Sequence, residues 1–139
     1  ETIMGILLTE SEAGKASVIG DIFLKPFTRS YGAMQVRLPT AKLVIRSGYI
    51  NFDKEDEYLL IKMITDTEFN IALGTAYFKN MLDRFEGKEN QWMKSVIAYN
   101  SGPGNVKKFL NQGKTHYLKR VKKYIKLVRN LKKEGLIDY

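Results

Sequence analysis

The helical character of the chain is clearest in residues 66–85, which read DTEFNIALGTAYFKNMLDRF. Asp66 or Thr67 can cap the N-terminus of a helix here. Gly74 lies within the pattern and indicates close approach of another backbone. The apolar side chains recur at the spacing of one helix face and predict a buried stripe: Phe69, Leu73, Ala76, Tyr77, Met81 and Phe85. We therefore expect a buried helix that ends near Phe85.

Toward the N-terminus, residues 53–65 also predict a helix. Its apolar side is expected to carry Tyr58, Ile61, Met63 and Ile64. Pro39-Thr40-Ala41 fits a helix that starts after Leu38. Residues 13–31 contain several glycines and a proline and predict a loop. The apolar run Thr2 to Thr9 is ambiguous between strand and helix, and its methionine and leucines favour a helix.

Toward the C-terminus, residues 89–99 predict a helix that is ended by Ser101-Gly102-Pro103-Gly104. A last helix is expected from Thr115 or His116 through Leu131. Its apolar face is formed by Tyr117, Val121, Tyr124 and Val128. The alternating pattern of a strand is absent from the sequence. We expect one mainly α domain over residues 1–139, with little or no β structure.

Composition excludes several classes of chemistry. The chain has no cysteine, which rules out disulfides, thiol nucleophiles and cysteine-ligated zinc. His116 is the only histidine, so a site with several histidines cannot form, and we expect no metal. Gly102-Pro103-Gly104 lacks the lysine-serine ending of a phosphate loop. No apolar run is long enough to predict a membrane span. The first residue, Glu1, is not methionine, which predicts a processed or trimmed form.

The positive charge is concentrated near the C-terminus. From Gly104 onward, eleven basic residues and two acidic ones give a balance of +9, whereas the rest of the chain stands at −1. Such a block attracts nucleic acid, anionic lipid headgroups or an acidic cell-wall polymer. It has little aromatic interleaving beyond Tyr117 and Tyr124, so nucleic acid is not the expected partner. A solvated helix face that aids solubility is the competing interpretation, and the sequence favours it.

Carboxylate chemistry remains. Glu10 lies between an apolar segment and a glycine-rich loop. Apolar surroundings disfavour the charged form of a carboxyl group, so its pKa rises and it can deliver a proton near neutral pH. A surface acid at a helix end is the alternative for Glu10, and Glu12 is close enough in sequence to compete for the role.

Three strings occur together and in order. The first is Glu10-Ser11, the second is residues 30–36 (SYGAMQV) followed by Pro39-Thr40-Ala41, and the third is residues 98–106 (AYNSGPGNV). Asn70-Ile71-Ala72-Leu73-Gly74 and Tyr77 lie between the second and third strings, and Tyr117 follows the third. This series resembles the catalytic domain of the soluble lytic transglycosylases, which share a lysozyme-like fold with the goose-type lysozymes. The resemblance extends from about Ile3 to Tyr124 and implies a substrate cleft.

The resemblance implies cleavage of the β-1,4 bond between N-acetylmuramic acid and N-acetylglucosamine in peptidoglycan, with a 1,6-anhydro ring left on the muramyl product. Glu10 matches the family's single catalytic glutamate, which acts as general acid and then as general base. The N-acetyl group of the substrate replaces a second carboxylate. No cofactor is implied. The implied partner is the peptidoglycan glycan strand, in the periplasm or cell envelope of a bacterium, and we expect a monomer.

The resemblance also implies substrate contacts at seven positions: Ser11, Ser30, Gly32, Gln35, Tyr99, Asn100 and Tyr117. Gly32 would let the chain pass close to the sugar. The amide of Gln35 suits an N-acetyl group or a sugar hydroxyl. The hydroxyl of Tyr99 could approach Glu10 or the N-acetyl group. Asn100 could instead cap its helix, and Tyr117 could instead pack in the core.

Other positions have competing interpretations. Ser11 could simply cap or orient the loop. The family serine could be Ser17 or Ser30, or it could be absent from this chain. Asp21 fits an acid that positions water in goose-type lysozymes, although a turn residue is the favoured interpretation. Arg37 occupies the place of another such acid, which counts against a hydrolase. A goose-type hydrolase and a non-catalytic module that binds polyanions or cell wall, the membrane surface included, remain the alternatives.

Overall fold

Helices dominate the structure. The computed structural model describes residues 1–13 and 29–138, with residues 12 and 13 described by their backbone alone. In these residues lie seven α-helices and a two-stranded antiparallel hairpin: α1 Thr2–Ala13, β1 Ser30–Tyr31, β2 Val36–Arg37, α2 Leu38–Arg46, α3 Asp56–Thr65, α4 Thr67–Arg84, α5 Gln91–Ser101, α6 Val106–Asn111 and α7 His116–Lys133. The expected mainly helical fold with little β structure is confirmed.

The chain divides into two compact units. The hairpin unit comprises Glu10–Asn80, and the terminal unit comprises Glu1–Thr9 with Met81–Tyr139. Most of the loop predicted over residues 13–31 falls outside the described residues, as do Ser17 and Asp21.

In the hairpin unit, α2 begins at Leu38, one residue before the predicted start, and Pro39 lies in its first turn as predicted. Proline is tolerated there because the N–H it lacks has no partner within the helix. Helix α3 begins at Asp56, three residues later than expected, and ends at Thr65 as expected.

The expected apolar face of α3 is largely wrong. Tyr58, Ile61 and Ile64 are 64%, 52% and 39% exposed, whereas the buried residues are Leu59, Leu60 and Met63. Apolar residues occupy both sides of this helix, so its spacing alone is compatible with either face. Packing of the chain selects the face that carries Leu59, Leu60 and Met63.

Helix α4 follows the predicted stripe in part. Leu73, Ala76 and Met81 are buried, whereas the three aromatic members of the stripe are half-buried. A Cβ atom on Gly74 would lie 2.6 Å from the Cβ of Met34. The close neighbour of Gly74 is therefore a side chain, not the backbone that the sequence analysis expected.

In the terminal unit, α1 packs tightly on α7. A Cβ atom on Gly5 would lie 2.7 Å from Cγ1 of Ile125. The apolar face predicted for α7 is buried at Val121, Tyr124 and Val128. Helix α6 was not foreseen, because it has six residues and buries only Val106.

Candidate active site

Glu10 lies in the last turns of α1 and is 8% exposed. It is the one charged side chain that is buried among the described residues. The other buried polar side chains there are neutral: Thr9, Asn70 and Ser95. Burial of a carboxyl group is costly unless its surroundings compensate for the lost water, so a buried glutamate marks a candidate functional position. The low exposure of Glu10 is compatible with the predicted role as an acid, and that role stays a prediction.

The segment that leads to Glu10 is fixed inside the terminal unit. The Thr9 hydroxyl donates to the Gly5 carbonyl at 2.7 Å. Arg120 of α7 donates from Nη2 to the Thr9 carbonyl at 3.1 Å. Sequence reasoning missed Arg120, because it lies in a run of basic residues and nothing in the pattern sets it apart.

The second string forms the hairpin. Ser30 pairs with Arg37 and Tyr31 with Val36, and the turn closes where the N–H of Gln35 donates to the Gly32 carbonyl at 3.1 Å. The φ angle of Gln35 is 48°, a left-handed conformation that residues with a side chain adopt at a cost. The Gln35 side chain supports this conformation, because its Nε2 also donates to the Gly32 carbonyl, at 2.9 Å.

That hydrogen bond orients the amide of Gln35. An amide carries two N–H groups and one acceptor oxygen, so the bond to Gly32 uses one of its groups. Ser30 is exposed, whereas Tyr31 is buried. Burial raises the pKa of the Tyr31 phenol, and the charge of Arg29 acts in the opposite direction.

Asn70 of α4 forms hydrogen bonds with the backbone of the hairpin. Its side chain is fully buried. Its Oδ1 accepts a hydrogen bond from the N–H of Met34 at 2.9 Å. Its Nδ2 donates to the carbonyl of Tyr31 at 2.9 Å and to the carbonyl of Met63 at 3.1 Å. A Cβ atom on Gly32 would lie 2.3 Å from Cγ of Asn70. The packing of Asn70 therefore requires glycine at position 32. The sequence had instead suggested that Gly32 lets the chain pass close to the sugar.

The third string ends α5 in the terminal unit. Tyr99 is 9% exposed and Asn100 is exposed. The capping role considered for Asn100 is performed by others, because the N–H of Gly102 donates to the Ala98 carbonyl at 2.8 Å and Nδ2 of Asn105 donates to the Ser101 carbonyl at 2.7 Å. Substrate contact by Asn100 stays a prediction.

The remaining predicted residues are Ser11, which is exposed on α1, and Tyr117, which is half-buried near the start of α7. Gly32 and Gln35 are brought together in one turn, and Tyr99 and Asn100 are neighbours on α5. The approach of the Tyr99 hydroxyl to Glu10 stays a prediction.

The comparison with protein families identifies one family over most of the chain. A family model described as Transglycosylase SLT domain matches residues 1–127. The chain belongs to the transglycosylase SLT family. Members of this family have a lysozyme-like fold, are typically lytic transglycosylases and act on the cell wall. The match covers every residue to which a catalytic or substrate-binding role is assigned above. That one domain spans all of residues 1–139 stays a prediction.

No solved structure matches the chain significantly. None of the helices in residues 1–13 and 29–138 combines the length and hydropathy needed to cross a bilayer.

Proposed function

We propose that this SLT protein is a peptidoglycan lytic transglycosylase that cleaves the β-1,4 bond between N-acetylmuramic acid and N-acetylglucosamine and leaves a 1,6-anhydro ring on the muramyl product. The observation that carries the proposal is the burial of Glu10 in a chain of the SLT family. The sequence resemblance matches Glu10 to the family's catalytic glutamate.

In the proposed mechanism, the protonated Glu10 carboxyl first donates its proton to the glycosidic oxygen. The bond between that oxygen and C1 of the muramyl residue then breaks, and the N-acetylglucosamine leaves with the proton. The carboxylate formed on Glu10 next takes the proton of the C6 hydroxyl while O6 bonds to C1. Glu10 thus regains its proton and no water is consumed.

One carboxyl group is sufficient for both steps, because the N-acetyl group of the substrate stabilises the positive charge at C1. This places the reaction among the substrate-assisted exceptions to glycoside cleavage by two carboxylates. The low exposure of Glu10 restricts the access of bulk water to the reacting carboxyl, which favours attack by O6 over hydrolysis.

The substrate contacts are proposed at Ser11, Ser30, Gly32, Gln35, Tyr99, Asn100 and Tyr117. Support comes from the resemblance of the three strings to this family, to which the chain belongs, and, for Gln35, from the hydrogen bond that orients its amide. We further propose that the protein works in the periplasm or cell envelope of a bacterium, where this polymer lies. Its basic C-terminal segment would add electrostatic attraction to the anionic wall.

The products of digestion test this function. Purified peptidoglycan is incubated with the protein, and the soluble fragments are weighed by mass spectrometry. Fragments that lack one water relative to the hydrolysed product are expected, because the anhydro ring forms without hydrolysis. Fragments with reducing-end muramic acid would instead identify a lysozyme of the goose type.

The variant Glu10→Gln tests the assigned acid. Glutamine keeps the size of the side chain but cannot donate and reclaim a proton, so we expect release of anhydro fragments to fall by at least about 100-fold. Glu86→Gln is the matched control, because Glu86 is exposed and has no assigned role. If Glu10→Gln retained activity comparable to this control, the assignment of Glu10 would be wrong.

A further inference from the structure

A groove of about 610 Å³ lies in the terminal unit. It shares no residue with the proposed catalytic and substrate-binding set. Its walls are formed by residues of α1, α5 and α7: Thr2, Trp92, Lys122, Ile125, Lys126 and Arg129. We call it the Trp92 groove.

Three cations line one side of the Trp92 groove. Lys122, Lys126 and Arg129 are separated by four and three positions on α7, so the helix repeat brings them to the same face. Nζ of Lys122 lies 6.0 Å from the centroid of the Trp92 ring, within reach of a cation–π interaction. The ring is fixed in turn, because its Nε1–H donates to Oγ1 of Thr2 at 3.1 Å.

The edge of this groove already binds a carboxylate from the chain itself. Nε of Arg129 donates to Oε2 of Glu1 at 2.7 Å, and this hydrogen bond lowers the pKa of the Glu1 carboxyl. Lys122 and Lys126 form no ion pair with an acidic side chain within residues 1–11 and 29–138. The groove therefore presents the ammonium groups of Lys122 and Lys126 beside Arg129, which already binds a carboxylate.

We propose that the Trp92 groove binds the acidic peptide stem of peptidoglycan through the carboxylates of the stem. This inference rests on the proposed function, because the stem belongs to the same polymer. A stem carboxylate at Lys122 and Lys126 makes a charge-assisted contact like that of Glu1 with Arg129. Ile125 and the Trp92 ring offer apolar surface to the aliphatic part of the stem. A neutral glycan lacks the negative charge that the three cations attract.

Trp92 is the only tryptophan of the chain, so its fluorescence reports on this groove directly. The Glu10→Gln protein is titrated with a soluble muropeptide whose stem carboxylates are free. A saturable change in emission is expected. Titration with the same muropeptide after amidation of its carboxylates is expected to give at most a weak change, because the charge that the lysines recognise is gone.

Two matched double variants locate the binding. Lys122→Gln with Lys126→Gln is expected to weaken binding roughly tenfold, since each exposed ion pair changes an equilibrium constant by up to about fivefold. Lys107→Gln with Lys108→Gln removes the same charge from exposed positions of α6 and is expected to leave binding unchanged. Glu1→Gln releases Arg129 from its internal carboxylate and is expected to strengthen binding.

Four results would overturn the inference: no saturable change, an equal response to the amidated muropeptide, equal weakening in both double variants, or a stronger response to inorganic polyphosphate at equal ionic strength. The last would assign the groove to phosphate. These outcomes are separate from the proposed function, because anhydro products can form whether or not Trp92 responds, and Trp92 can respond in a protein that releases no anhydro product.

Discussion

At the scale of single residues, the hairpin depends on the contact between Gly32 and Asn70. Asn70 is fully buried and uses both ends of its amide on backbone groups of the hairpin and α3. Its side chain cannot move without leaving buried polar groups unpaired, which would destabilise the fold. The turn that carries Gln35 is therefore positioned by a residue that itself has no role in the chemistry.

Replacement of Gly32 by alanine tests this contact. The φ angle of Gly32 is +70°, so alanine there costs roughly 1–2 kcal/mol in backbone strain. The new Cβ would also lie 2.3 Å from Asn70, which adds roughly 1–3 kcal/mol of overpacking. We expect the free energy of unfolding, measured by denaturant titration, to fall by the sum of the two costs.

Gly113→Ala is the matched control. Gly113 has a φ angle of +62°, but a Cβ atom there meets nothing within 4 Å. In this variant the free energy of unfolding should fall only by the cost of backbone strain. Equal losses of stability in the two variants would contradict the proposed role of the Asn70 contact.

At the scale of elements, Asp66 joins α3 to α4. Its Oδ1 accepts from the N–H of Phe69 at 2.8 Å and caps α4, while its Oδ2 accepts from Lys62 of α3 at 2.7 Å. The hydrogen bond from Lys62, followed by that from the Phe69 backbone, lowers the pKa of Asp66 below its ordinary value of 3.8. Either Asp66 or Thr67 could have been the cap from sequence, and the structure selects Asp66.

This pKa direction predicts a dependence of stability on pH. A carboxyl whose pKa is lower in the folded protein stabilises the fold above its unfolded pKa, and that stability is lost as the pH falls through the folded pKa. Asp66→Asn keeps a capping side chain but removes the charge. We expect the variant to unfold at lower urea concentration than the unchanged protein at neutral pH, with the difference disappearing well below pH 3.8.

Asp53→Asn serves as the control for this experiment. The side chain of Asp53 is 84% exposed, and its Oδ1 lies 3.8 Å from Nζ of Lys54, so its ion pair is long and solvated. Little change in urea midpoint is expected for it at either pH. A difference between Asp66→Asn and the unchanged protein that stayed constant with pH would show that the charge of Asp66 does not contribute.

At the scale of the whole molecule, the net charge is confined to one compact unit. The terminal unit has 14 basic and 6 acidic residues, whereas the hairpin unit has nine of each. The unit that contains Glu10 is therefore neutral overall, and the attraction to a polyanion comes from the unit that contains α7.

This distribution predicts that retention on the cell wall depends on salt. Glu10→Gln protein is mixed with insoluble peptidoglycan, and the bound fraction is measured by sedimentation from about 0.01 M to about 1 M salt, over which the Debye length falls from roughly 30 Å to roughly 3 Å. We expect the bound fraction to fall severalfold. Chitin, an uncharged polymer of N-acetylglucosamine alone, should show little dependence on salt. Retention on peptidoglycan that did not change with salt would exclude an electrostatic contribution.

The sequence by itself determined the helical class, the position of most helices, the family and the location of the charge. Helix spacing and proline at a first turn are local properties, and the order of the three strings is a property of the linear sequence. All three are therefore readable without coordinates. The starts of α2 and α7 were predicted to within one residue for this reason.

Only the tertiary structure decided which face of α3 is buried, that Gly74 meets Met34, and that Gly102 and Asn105 cap α5 in place of Asn100. It also decided that Asn70 holds a hairpin 36 and 39 residues away in the chain, and that Glu10 is shielded from solvent. The physical reason is that burial and hydrogen bonds between distant residues depend on which surfaces the folded chain brings together. The spacing of residues along the sequence is compatible with several such sets of contacts.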